Sequence, residues 1–136
     1  MKRTFLGLSA ALFVSGAAIG GAFAAEPAKY IDSSLGKVLV DNEKGMTLYT
    51  YKPDGTGATT STCVGECIAK WPPFLAAADA KAEGDWTIVD AVDKDGKAVK
   101  MWAYDAKPLY WFVKDAKTGD VTGEGLGDVW YVVKEG

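Results

Sequence analysis

LYWFVKD, residues 109–115, repeats the skeleton of LYTYKPD, residues 48–54: Leu, Tyr, any residue, an aromatic, two residues, Asp. Tyr49 and Tyr110 stand 61 residues apart. Each motif follows an apolar run and a tight turn. Each is followed by a Gly-rich loop and then a tryptophan, Trp71 or Trp130. Self-similarity of this kind marks two copies of one supersecondary unit, neither able to bury its apolar face alone. The chain is therefore read as two β units about a pseudo-twofold axis, sharing one core, over about 36–75 and 86–134.

The surrounding sequence agrees with a β-rich class. KVLVD (37–41) and TLYTY (47–51) flank NEKGM as a hairpin; WTIVDAV (86–92) and AVKMWAY (98–104) flank DKDGK, whose Asp95-Gly96 is a strong turn signal. PLYWFVKD and VWYVV supply further strands. One short helix is expected near 63–71, stopped by Pro72 and Pro73, and the Ala-rich stretch after Phe74 has room for a helical turn. The expectation is an all-β fold, a small sheet, sandwich or barrel, filling 36–136 as one domain, with 25–35 an irregular lead-in.

Residues 1–24 read as an export signal. Lys2 and Arg3 precede an apolar run from Phe5 to Ile19, and Ala22 and Ala24 satisfy the small-x-small rule for cleavage after Ala24. No cysteine stands at that point to take a lipid, so the mature chain is expected to be periplasmic or secreted, without a membrane span.

Of the 15 basic residues, the 13 beyond Arg3 are all lysine, against 18 acids. The mature net charge of about −5 argues against nucleic acid or anionic lipid as partner. Beyond the leader there is no His and no Arg. That removes the usual catalytic triads, most zinc and copper sites, and most phosphoryl-transfer sites. No catalytic residue, metal or cofactor is assigned. DAKTGDVTGEGLGD carries Asp115, Asp120, Glu124 and Asp128, oxygen donors in a flexible loop, but without EF-hand spacing.

Residues i and i+2 of a strand share a face. Tyr49 and Tyr51 are expected to pair on one face, and Tyr110 and Phe112 on the corresponding face of the second copy. Asp54 and Asp115 stand where each strand gives way to its loop. Two roles suit the motif. It is a folding device of core aromatics with loop-fixing carboxylates, the usual role of such stripes. Alternatively, it is an exposed platform for a sugar, a quinone or a cation.

Cys63 and Cys67 are the only cysteines. In an exported chain the pair reads as a disulfide. The rival is a working thiol pair, redox-active or binding Cu(I) with Met46 or Met101.

The doubled motif, together with GMTLYTY, CVGECIAKWPP, KPLYWFVKD and GEGLGDVW, resembles the secreted lipoprotein-repeat family with the Tyr-x-(Phe/Trp/Tyr)-x-x-Asp motif, over roughly residues 36–133. The resemblance implies an exported, repeat-built envelope protein of unestablished activity. Many members carry a lipid-anchoring cysteine, which is missing here. The function expected is a non-enzymatic binding or structural module, engaging an envelope protein or a small ligand. The alternative is a redox or copper-handling accessory built on Cys63 and Cys67.

Overall fold

β3 (Tyr49–Tyr51) and β6 (Lys107–Tyr110) lie side by side and antiparallel, with Tyr49 directly opposite Tyr110. The computed structural model describes residues 25–136; the leader expected over 1–24 lies outside the described residues. Around that pair are β1 (Ala28–Ser33), β2 (Gly36–Asp41), β4 (Trp86–Val92), β5 (Ala98–Tyr104) and β7 (Trp130–Val132). One sheet runs β4-β5-β6-β3-β7 and a second pairs β1 with β2, both antiparallel. The fold is β-dominated, with one short helix, α1 (Glu66–Lys70), and no closed barrel among the described residues.

β1 corrects the expectation of an irregular lead-in over 25–35. Ala28–Ser33 pairs with Gly36–Asp41 along its whole length. The turn between them carries no Asn-Gly or Asp-Gly signal. It closes instead through Ser33, whose Oγ donates to the Gly36 carbonyl at 2.7 Å and accepts from the Leu35 N–H at 3.1 Å. Gly36 takes the positive φ of +92° that the turn requires.

The expected hairpin of KVLVD and TLYTY forms only at its closed end. Val40 bridges Thr47, and the Leu48 N–H donates to the Leu39 carbonyl at 2.9 Å. β3 then turns away to pair with β6 and β7. The Ala-rich stretch begins not as helix but extended. The Phe74 N–H donates to the Leu109 carbonyl, and the Phe74 carbonyl accepts from the Trp102 N–H.

These segments interlock the two units. β7, at the end of the second, pairs with β3 of the first, and the Leu39 N–H reaches the Val133 carbonyl. Residues 72–75, at the end of the first, lie against β5 and β6 of the second through Pro73–Tyr110 and Leu75–Met101 bridges. Each unit thus completes the other's sheet.

The central sheet is covered on both faces. Tyr49 and Tyr110 join Val38, Ile68, Met101 and Trp130 on one side. Leu48 and Leu109 join Leu39, Phe74 and Trp86 on the other. Strand alternation puts the tyrosine and the leucine of each Leu-Tyr pair into different apolar layers.

Candidate functional site

The motif residues converge at the β3–β6 pair, and they do so by exchange. Tyr49 is fully buried and its Oη donates to Asp115 Oδ2 at 2.6 Å, while Tyr110, also fully buried, donates to Asp54 Oδ2. Each tyrosine therefore bonds the aspartate of the other copy. Each aspartate's second oxygen is held by a threonine of its own loop. Asp54 Oδ1 accepts from the Thr62 N–H at 2.8 Å and its hydroxyl at 2.5 Å. Asp115 Oδ1 accepts from the Thr122 N–H at 3.0 Å and its hydroxyl at 2.5 Å.

Local structure sets these positions. A 3-10 turn, Lys52–Asp54, follows β3 directly, with Pro53 fixing its start and Gly55 closing it onto the Lys52 carbonyl. The turn swings Asp54 back into the interior. In the second copy the Asp115 N–H closes onto the Phe112 carbonyl at 3.1 Å. β6 ends at Tyr110, so Phe112 is not part of a strand face shared with Tyr110. It reaches the core from the turn instead, and is buried.

The aromatics complete the exchange. Trp71 and Trp130 stack with ring centroids 3.8 Å apart and planes 4° from parallel. Tyr51 stacks on Trp130 at 4.3 Å, and Phe112 on Trp71 at 4.1 Å. The result is one column, Tyr51–Trp130–Trp71–Phe112, in which each motif's second aromatic covers the tryptophan of the other copy. Tyr49 meets Trp71 edge-on at 5.2 Å, and Tyr110 meets Trp130 edge-on at the same distance. Each such pair contributes about 0.5–1.5 kcal/mol beyond its burial. Contacts of one motif recur in the other, the relation a local twofold axis between Tyr49 and Tyr110 produces.

Burial, and then the bond to the carboxylate, push both phenols far above the ordinary tyrosine range. They stay protonated and serve as donors, not as bases. The remaining valences are also used. Tyr49 Oη accepts from the Gly123 N–H at 3.2 Å, and Tyr110 Oη lies 2.6 Å from Ser61 Oγ. Gly123 has no room for a side chain, since a Cβ there would stand 2.6 Å from Trp71 and 2.9 Å from Tyr49.

Cys63 and Cys67 form a disulfide. It ties the loop bearing Ser61 and Thr62 to α1, whose C-terminal neighbour Trp71 donates its N–H to the Cys67 carbonyl at 2.9 Å.

Thr62, Thr122, Ser61 and Gly123 escaped the sequence reading. Aligning the loops by their motifs puts Thr62 eight residues after Asp54 and Thr122 seven after Asp115, a signal that could have found both. Asp41 was missed as well. It is fully buried, accepts from the N–H groups of Glu43, Lys44 and Met46, and takes the Trp111 indole N–H at 2.9 Å. It organises the NEKGM loop. In the other acidic loop, Asp120 turns back to accept the N–H groups of Ala116 and Lys117, which hold its carboxyl below the usual range.

The chain belongs to a family described as a secreted repeat of unknown function, whose model matches twice, over residues 29–74 and 91–134. The first match takes in nearly all of β1. No curated protein and no solved structure matches the chain. Among the described residues, no helix is long and apolar enough to cross a membrane.

Proposed function

We propose that this protein is a non-enzymatic module, exported to the periplasm or beyond by cleavage after Ala24, whose doubled motif is a folding device. Its outer surface is left to bind an envelope protein or a small ligand. The observation that carries this reading is the reciprocal exchange. Tyr49, Tyr110, Asp54 and Asp115 spend their polar atoms on one another and on the two motif loops, inside the core. A platform for a ligand needs those atoms free and its rings exposed. The absence of His and Arg after the leader points away from acid–base and phosphoryl chemistry.

The disulfide fits the same role, because it braces the loop that holds Asp54. Cys63 is buried in the aromatic core, a poor position for a thiol that must meet a partner. The test uses protein isolated from the envelope fraction without reductant. Its N-terminus should be Ala25, its cysteines should be oxidised, and it should carry no stoichiometric copper. Free thiols together with tightly held Cu(I) would instead establish the accessory-protein role.

A further inference from the structure

A cavity of about 570 Å³ opens on the side of the molecule away from the motif column. Three aromatic residues, Trp86, Trp102 and Tyr104, line it. Their rings are set at angles to one another. Trp86 and Trp102 lie 6.0 Å apart with planes at 82°, and Trp86 and Tyr104 lie 4.7 Å apart at 45°. Differently tilted ring faces around one space are the geometry that receives a positive charge.

The rim has the matching sign. Glu26, Asp79, Glu83 and Asp85 all line the cavity, against Lys81 and, in a chain cleaved after Ala24, the α-ammonium of Ala25. Among the described residues none of the four carboxylates takes part in an ion pair, the pairs being Asp32–Lys37 and Asp90–Lys100. Backbone bonds hold the rim in place. Glu83 and Trp86 exchange N–H and carbonyl bonds in both directions, and the Asp85 carbonyl accepts from the Asp105 N–H at 2.9 Å.

A further observation points to a ligand independently of charge. Trp86 is 5% exposed, and its indole N–H is buried with no acceptor among the described residues. Buried donors are ordinarily paired. An oxygen brought by a ligand would supply the missing acceptor. Most of the lining also lies outside the two matched repeats, in residues 25–27 and 79–86.

We infer that this cavity binds a small organic cation, an ammonium group bearing a hydroxyl or carbonyl oxygen. The ammonium sits among the rings of Trp86, Trp102 and Tyr104 under the acidic rim, and the oxygen accepts from the Trp86 indole. The inference rests on the reading of the chain as a binding module and names the ligand class for it.

Choline and its neutral carbon isostere, 3,3-dimethylbutan-1-ol, separate charge from shape. Mature protein is titrated with each, followed by tryptophan fluorescence and by calorimetry. Choline should bind saturably, and the isostere about tenfold more weakly or worse, because it lacks the charge that the ring faces attract. Trp102→Ala should weaken choline by about tenfold. Glu83→Gln, on the rim, should weaken it by about threefold and report on the site should Trp102→Ala fail to fold. Equal affinity for the two compounds, no saturable choline binding, or affinities unchanged in both variants would overturn the inference. Copper and thiol content report on the binding-module reading without reference to choline, so the two can fail separately.

Discussion

Tyr49→Phe keeps the ring and removes one hydroxyl. In this structure that hydroxyl holds two buried partners, donating to Asp115 Oδ2 and accepting from the Gly123 N–H. Both would be left unpaired, at about 1–3 kcal/mol each by general experience with buried groups. The expected loss is about 3 kcal/mol, allowing for some relaxation. With a urea dependence of about 1–3 kcal/mol per molar, the unfolding midpoint should fall by about 1–3 M. Tyr110→Phe should cost less, about 1–3 kcal/mol, since it strands Asp54 Oδ2 alone while Ser61 Oγ keeps its bonds to the Cys63 backbone. The sharper test is a double-mutant cycle in urea, with the disulfide intact. Tyr49→Phe should couple to Asp115→Ala by about 2 kcal/mol, and to Asp54→Ala by no more than about 0.5 kcal/mol. A motif that served only its own repeat would give the reverse, with Tyr49 coupled to the nearby Asp54. That pattern, or a Tyr49→Phe protein within about 0.5 kcal/mol of wild type, would refute the exchange as the device that joins the units.

Replacing Cys63 and Cys67 with Ser should lower stability by about 2 kcal/mol, the chain-entropy value for so short a loop, while leaving the far-ultraviolet spectrum of a folded domain. Mass spectrometry of the unreduced wild type should locate the bond. Gly123→Ala should destabilise by about 2 kcal/mol in the same melts, because its methyl meets the rings of Trp71 and Tyr49; a neutral result would mean the aromatic column shifts freely. Alkaline titration followed by phenolate absorbance should show Tyr30 ionising late, near its raised value of about 12, a consequence of burial and then of the neighbouring Tyr104 hydroxyl. Tyr49 and Tyr110 should ionise only as the protein unfolds. Their folded pKa values lie above the ordinary value, so their contribution to stability is complete below about pH 10 and is lost as pH rises beyond it. If either phenol titrates in the folded protein at its ordinary value, the buried bond to the carboxylate is absent.

Sequence alone determined the class, the duplication and the residues that matter to it. Period-2 alternation with aromatic and β-branched residues is local chemistry, so the strands around Asp95-Gly96 and the doubled motif were legible. So was α1, ended by Pro72 and Pro73. β1 was not, because its turn closes through the Ser33 side chain rather than a glycine signal, and its pairing with β2 becomes visible only when both are in place. The end of β6 at Tyr110 was also hidden, since LYWFV reads as continuous strand. Tertiary structure alone decided the partners. A sequence repeat says that Tyr49, Tyr51 and Asp54 belong together as Tyr110, Phe112 and Asp115 do. It does not say whether each set closes on itself or crosses to the other. The crossing follows from setting β3 and β6 antiparallel with Tyr49 facing Tyr110, which carries each side chain over the neighbouring strand toward the other copy's loop. Strand pairing is long-range, and no local propensity encodes it.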